Sequence, residues 1–140
     1  MTHWSASYIG IPHAEFGYGP DGAHCWGLAV LVYGRELGIT LPTYVGCYAS
    51  LAERREIAAL VEGESADPVW SLVAEPRPFD IAVFRMGRYA THVGVVVNET
   101  LVLHVQASDQ AKIQNFSVAP LKDRLTGLYR HCDTASRVAR

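Results

Sequence analysis

Four short segments rich in β-branched residues follow one another between residues 80 and 117, and no other feature constrains the fold as strongly. Because turn-length connections separate them, they predict an antiparallel meander of strands. The segments are DIAVFRM (80–86), HVGVVVN (92–98), LVLHVQA (101–107) and AKIQNFS (111–117). Further along, GLYRHCD (127–133) predicts a strand at the sheet edge, and VWSLVAEPRP (69–78) fits either a short strand or a helical turn.

The part of the chain before these strands predicts loops and helices. Residues 1–24 are rich in Gly, Pro and aromatic side chains, which indicates an ordered loop. Over residues 25–37 apolar side chains recur at helical spacing on almost every side, so we expect a buried helix that Asp21 caps and Gly38 ends. A second helix is predicted over residues 47–62. The fold class is therefore α+β.

Length and composition fit one globular domain over residues 1–140, with a core from about residue 8 to residue 131 and a mobile end. Twelve basic and fourteen acidic residues, with no long run of one sign, predict no nucleic-acid partner. The first residues do not resemble a secretory leader, and no window is apolar enough to span a bilayer. We therefore expect synthesis in the cytoplasm without a signal peptide and no membrane insertion.

Cys25 is the first candidate for chemistry, although a cysteine on an apolar helix is ordinarily a small core residue. Its predicted place is the start of a buried helix, where the helix dipole and unpaired amide groups favour a thiolate. Cys47 and Cys132 lie far away in the sequence, and no CxxC pair is present, so neither a disulfide framework nor a zinc ribbon is predicted. A catalytic Cys25 would need a base and a group that orients this base.

His92 and His104 are the candidates for these two roles, because each replaces an apolar residue in a predicted strand. A hairpin turn at residues 98–100 brings residue 104 near residue 94, so both side chains share one face if the pairing has no bulge. Each histidine alone could be a hydrogen-bonded core residue. Together with Cys25 they form a set of nucleophile, base and orienting group. The same three side chains are also ligand types for a tetrahedral zinc site.

Five stretches in the right order resemble the NlpC family of papain-like cell-wall cysteine peptidases over about residues 8–107. They are DGAHCWGLAVLVY, GITLP, FDIAVF, HVGVVV and LVLHVQAS. The spacing of His92 and His104 also matches this family. The resemblance implies a papain-like fold in which N-terminal helices, with the catalytic cysteine at a helix start, pack on an antiparallel β-sheet.

The same resemblance implies roles for individual residues. Cys25 would be the nucleophile, His92 the general base and then acid, and His104 the residue that orients the His92 ring. A thioester intermediate and peptidoglycan stem peptides as substrates are expected, with the backbone amide of Cys25 as an oxyanion donor. No metal or organic cofactor is implied. Acyl transfer to an amine or a lipid would use the same chemistry and stays open.

Trp26 and the leading YIGIPH resemble the subgroup of the family found in the tail tips of phages and gene transfer agents. This implies tail-tip or baseplate hub proteins as partners, assembly of the cytoplasmically made protein into a tail particle, and action in the bacterial periplasm or cell wall. The alternative in a different functional class is a non-catalytic tail-tip adaptor that retains the peptidase fold.

The chain departs from the family at two histidines. Most members have Asp where His24 precedes the cysteine, and His24 would either favour the thiolate or only pack the loop. Many have Tyr or Trp where this chain has His13, which we expect to line the substrate cleft. Tyr8, Tyr18, His24 and Trp26 are further candidates for substrate contact. Cys47 and Cys132 match no catalytic position, so both are expected to be structural.

Overall fold

One antiparallel sheet of six strands forms the framework of the protein in the computed structural model, which describes residues 3–14, 17–41, 70–86, 89–106 and 109–134. The strands in chain order are β1 (Tyr18–Gly19), β2 (Gly22–Ala23), β3 (Trp70–Val73), β4 (Ile81–Met86), β5 (Tyr89–Val96), β6 (Leu101–His104), β7 (Lys112–Asn115) and β8 (Leu125–His131). β1 and β2 form a small hairpin, and the other six have the spatial order β3-β8-β4-β5-β6-β7.

The strands β4 to β7 form the antiparallel meander that the sequence predicts. The ambiguous segment at residues 69–78 contributes β3, so its strand interpretation is the right one. The prediction of an edge strand at residues 127–133 is wrong in its position, because β8 lies between β3 and β4 and pairs with both. The pairing is reinforced by Arg130 of β8, whose guanidinium donates to both carboxylate oxygens of the fully buried Asp80 at 2.8 Å.

The predicted buried helix is present as α1 (Cys25–Val32), which continues as one π-helical turn (Tyr33–Leu37). It ends at Gly38, whose φ of 66° lies in the left-handed region that glycine adopts without strain. Asp21 does not cap it, which corrects the prediction: the hairpin β1-β2 intervenes, and His24 occupies the N-cap position without a side-chain cap bond. The first 24 residues are not all loop, because a 3₁₀ helix covers Trp4–Tyr8.

Two apolar clusters lie on opposite faces of the large sheet, as the alternation of side chains along strands requires. The larger one joins α1 and the turn after it to one face, where Val83, Val93 and Leu103 point. The smaller one includes Phe84 and Val102 on the other face, together with Leu121 of the short helix α2 (Leu121–Arg124). No helix in the described part of the chain is long and apolar enough to cross a membrane. The helix predicted over residues 47–62 lies outside the described residues.

Candidate active site

His92 and His104 meet across β5 and β6. The register of the two strands pairs Val95 with Leu103 and Val96 with Val102, so residues 92 and 104 face the same side, as the hairpin pattern predicts. Nε2 of His92 lies 2.8 Å from Nδ1 of His104, and both residues are buried. One of these nitrogens must donate and the other accept, because a hydrogen bond between two rings uses one proton.

A third side chain, Gln114 of β7, continues this arrangement. Its Oε1 lies 2.9 Å from Nε2 of His104, so His104 is bonded through both ring nitrogens. The sequence interpretation missed Gln114, although the pattern holds a signal for it. In the β6-β7 register Val102 pairs with Gln114 and His104 with Lys112, so a polar residue on β7 stands on the same face, diagonally across from His104.

Gly94 allows the two strands to approach closely beside the histidine pair. A Cβ atom at this position would lie 2.6 Å from Cγ2 of Val102 and 3.1 Å from Cβ of His104. Any side chain at residue 94 would therefore push β6 away from β5 or displace His104. The absence of a side chain is part of the geometry that holds Nε2 of His92 2.8 Å from Nδ1 of His104.

Burial makes the charged form of both rings unfavourable. Burial, and to a smaller extent the neighbouring His104 ring, lower the pKa of His92 to about 3. The pKa of His104 is also lowered, chiefly by burial, although the bond to Gln114 acts in the opposite direction. Two exposed charges near His104, Lys112 and Asp109, oppose each other and form a salt bridge of 2.9 Å. Near neutral pH both rings are therefore neutral.

Cys25 is the first residue of α1, is half-buried and forms no disulfide bond. It packs against the larger apolar cluster, and α1 lies against β5, the strand that carries His92. The rings of His92 and His104 contact Phe84 of the smaller cluster, with ring centroids 6.0 and 6.5 Å apart. The structure thus brings the two histidines together, and α1, which begins with Cys25, packs against the strand that carries His92.

His24 holds the loop before Cys25 against the start of α1 through hydrogen bonds. Nδ1 of this buried ring donates to the carbonyl oxygen of Gly17 at 2.8 Å, and the ring stands edge-on to Tyr18. The backbone N–H of His24 donates to the same carbonyl. Gly27 makes room for this arrangement, because a Cβ there would collide with the Gly17 carbonyl and lie 2.7 Å from Nδ1 of His24. These contacts favour the loop-packing interpretation of His24.

The residues predicted to contact substrate differ in where they lie. Tyr8 and Trp26 are almost completely buried in the larger cluster, so the prediction that they line a cleft is wrong for this conformation. Both are large aromatic rings whose burial in this cluster is favourable, and the Tyr8 hydroxyl donates to Glu36 at 2.6 Å. His13 and Tyr18 are half-buried, and both remain candidates for substrate contact. The backbone N–H of His13 donates to the carbonyl of Asp109.

The zinc alternative requires Cys25, His92 and His104 to form one compact ligand group. Within the described residues, the only group of three ligand side chains whose donor atoms lie within 4.8 Å of one another is His131, Cys132 and Asp133. In that group Nδ1 of His131 already accepts from the backbone N–H of Asp133. The geometry therefore does not support the zinc site that the sequence left open. Cys132 is exposed, and Cys47 lies outside the described residues.

Comparison with known proteins identifies the family. The NlpC/P60 family profile matches residues 13–130, which is most of the chain, and the protein belongs to this family. It has the papain-like NlpC/P60 fold, with helices and an antiparallel sheet. No curated protein sequence matches the chain.

Solved structures show the same fold. The NlpC/p60 domain of the peptidoglycan hydrolase SagA is 22% identical with a TM-score of 0.54, over 81% of this chain and 84% of that domain. An NlpC/P60 family protein from Bacillus cereus is 19% identical with a TM-score of 0.65, and NlpC2 from Trichomonas vaginalis is 20% identical with a TM-score of 0.64. Each of these two aligns with 91% of this chain, which spans only 38% and 44% of their respective lengths.

Proposed function

We propose that the protein is a cysteine peptidase that cleaves peptidoglycan stem peptides through a thioester on Cys25. The observation that carries the proposal is the buried hydrogen bond of 2.8 Å between His92 and His104 in a protein of the NlpC/P60 family. A buried pair of imidazoles costs solvation energy that two valines would not, so a catalytic role gives the pair a reason to be there. α1, with Cys25 as its first residue, packs on the strand of His92.

The reaction follows from the bonding of the His92 ring. His104 engages Nε2, so Nδ1 is the nitrogen that accepts the thiol proton from Sγ of Cys25. The thiolate then attacks the peptide carbonyl, and the backbone N–H of Cys25 at the helix start stabilises the oxyanion. His92 returns the proton to the leaving amine, and the amine departs as the thioester forms. A water molecule, deprotonated by His92, hydrolyses the thioester, and the thiol regains its proton.

Burial supports a mechanism that starts from neutral groups. Since the pKa of His92 is held well below its ordinary value, the ring enters the reaction as neutral imidazole, and the negative charge of the thiolate that forms beside it offsets the cost of the transient imidazolium. His104 fixes the ring orientation and stabilises the imidazolium that forms transiently. A transfer of the acyl group to an amine instead of water would use the same first half of the reaction.

The biological setting that we propose is the tail tip of a phage or gene transfer agent, with hub proteins as partners and the host cell wall as substrate. The support is the resemblance of YIGIPH and Trp26 to that subgroup. In this setting the particle would carry the cytoplasmically made enzyme to the periplasm. A non-catalytic adaptor with the same fold is the alternative, and it predicts no dependence of any reaction on Cys25.

Mass spectrometry of muropeptides tests the reaction. Purified peptidoglycan is incubated with wild-type protein, with Cys25→Ala, and with Cys132→Ala as the matched control at an exposed thiol. We expect new stem-peptide fragments with the wild type and Cys132→Ala and none with Cys25→Ala. Equal products from all three proteins, or no products from a folded wild type on several peptidoglycan types, would contradict the proposal and favour the adaptor.

A further inference from the structure

We propose that Gln114 is a positioning residue that fixes the ring protons of His104 and His92 and so places the lone pair of His92 on Nδ1. The purpose of this arrangement rests on the proposed function, but its geometry does not. The hydrogen bond of Gln114 at this site is to His104, so Gln114 acts through that ring.

The first step of the argument concerns the proton of His104. An amide oxygen has no hydrogen and can only accept, so the 2.9 Å contact of Oε1 with Nε2 places a proton on Nε2 of His104. A neutral imidazole has one ring proton. Nδ1 of His104 is therefore left with its lone pair and must accept.

The second step concerns His92. Because Nδ1 of His104 accepts, the hydrogen bond of 2.8 Å requires that Nε2 of His92 donates. The single proton of neutral His92 is then on Nε2, and its lone pair is on Nδ1. His92, His104 and Gln114 thus form a row of two hydrogen bonds. In this row His92 donates to His104, and His104 donates to the oxygen of Gln114.

The neutrality of both rings is what gives Gln114 this influence, because a doubly protonated ring would donate from both nitrogens whatever faced it. Burial holds both rings neutral, and Phe84 of β4 adds an apolar wall on the same face. The charged groups near His104 are Lys112 and Asp109, which are paired with each other.

Without an acceptor at residue 114 the row could run in either direction. In the reversed row Nδ1 of His104 donates to Nε2 of His92, and the proton of His92 moves to Nδ1. That form of His92 cannot accept a proton from a thiol. Loss of the acceptor should therefore lower the catalysed rate by about 10- to 100-fold, by analogy with the loss of groups that orient metal-bound histidines.

The test reads the ring protons directly by ¹⁵N NMR of the full chain labelled at histidine. The variants are Gln114→Met, which keeps the length and removes the acceptor, and Gln114→Glu, which keeps an acceptor. Gln110→Met is the matched control, because Gln110 is exposed. In wild type and Gln110→Met we expect the Nε2–H tautomer for His92 and His104, in Gln114→Met a mixture of tautomers, and in Gln114→Glu recovery of Nε2–H on His104.

Two results would overturn the proposal: a wild-type His104 with no proton on Nε2, or unchanged tautomers in folded Gln114→Met. The wild-type measurement decides the first even if a variant does not fold. The readout does not use activity, so its outcome is separate from the muropeptide experiment. If stem peptides are not cleaved but the tautomers change on substitution of residue 114, only the proposed function fails. If cleavage depends on Cys25 but the tautomers do not change on substitution of residue 114, only this inference fails.

Discussion

Nε2 of His92 and Nδ1 of His104 lie 2.8 Å apart in a buried position between neighbouring strands. Neither ring has a carboxylate among its hydrogen-bond partners in the described residues, since the next group in the row is the neutral amide of Gln114. The pair therefore differs from a histidine held charged by an acidic partner. The buried arrangement of the two rings is therefore stable only while both rings are neutral.

Acid should destabilise the fold through this pair. The pKa values of both rings in the folded protein lie below 6.5, and that of His92 is near 3. Between these limits the unfolded chain binds more protons than the folded protein, so the free energy of unfolding decreases as the pH is lowered. Holding the His92 ring neutral accounts for a loss of up to about 2 kcal/mol between pH 7 and pH 5, and His104 adds to the loss in the same direction. Urea denaturation at pH 8, 7, 6 and 5 measures this loss.

The matched control for the acid effect is the pair of variants His92→Gln and His3→Gln, since His3 is exposed. The first should weaken the pH dependence, and the second should leave it unchanged. An equal slope in wild type and His92→Gln would show that the loss arises elsewhere.

Turnover should depend on His92 far more than on an exposed histidine. Removing a general base typically lowers kcat by about 10²- to 10⁴-fold. The kcat of His92→Gln should therefore fall by that amount, while His3→Gln keeps wild-type activity. Iodoacetamide labelling supplies a second measurement: the rate at Cys25 should fall in His92→Gln, and the rate at exposed Cys132 should not. Unchanged labelling at Cys25 would mean that its thiol shares no proton with His92.

Two glycines in the same helical stretch should respond oppositely to alanine. Gly27→Ala places a Cβ against the Gly17 carbonyl and the His24 ring, and should cost about 1–3 kcal/mol of unfolding free energy by overpacking. Gly34→Ala meets no atom within 4 Å and should stabilise the protein by about 0.5–1 kcal/mol through lower chain entropy. Urea denaturation of both variants checks the pair, and equal effects would contradict the close approach of the loop to α1.

The buried ion pair between β8 and the start of β4 should matter more than the exposed one. Asp80 is fully buried and binds Arg130 through both oxygens, so Asp80→Ala leaves the guanidinium with only its bond to the Glu75 carbonyl and should cost about 3–5 kcal/mol. Asp109→Ala removes an exposed partner of Lys112 and should change the melting temperature little. A small effect of Asp80→Ala in thermal unfolding would show that β8 does not rely on this contact.

The sequence predicted contacts between neighbouring strands better than contacts between segments that are far apart in the chain. The alternation of side chains and a short turn were sufficient to put His92 and His104 on one face, because both follow from neighbouring residues. Gln114 was within reach of the same reasoning, since the next pairing of the meander brings it diagonally opposite His104. The sequence pattern does not single it out, because the amide of a glutamine in a strand neither titrates nor acts as a nucleophile.

The errors arise where contacts join segments that are far apart in sequence. The pattern of residues 127–133 indicates a strand but does not say which strand it will pair with, so the insertion of β8 between β3 and β4 could not be derived. The burial of Tyr8 depends likewise on a bond to Glu36, 28 residues away. The hairpin β1-β2, with two residues in each strand, is too short to show a period, so the sequence pattern alone places Asp21 at the start of the helix.

The place of β8 in the sheet also sets the order in which the protein can acquire its structure. The hairpins β4-β5, β5-β6 and β6-β7 close over short stretches of chain and can form as soon as those residues exist. β3 pairs only with β8 within the described sheet, so it must wait until residues 125–131 have been synthesised. Until then one side of β4 is an open hydrogen-bonding edge, and the growing chain is at that stage most exposed to pairing with a second copy.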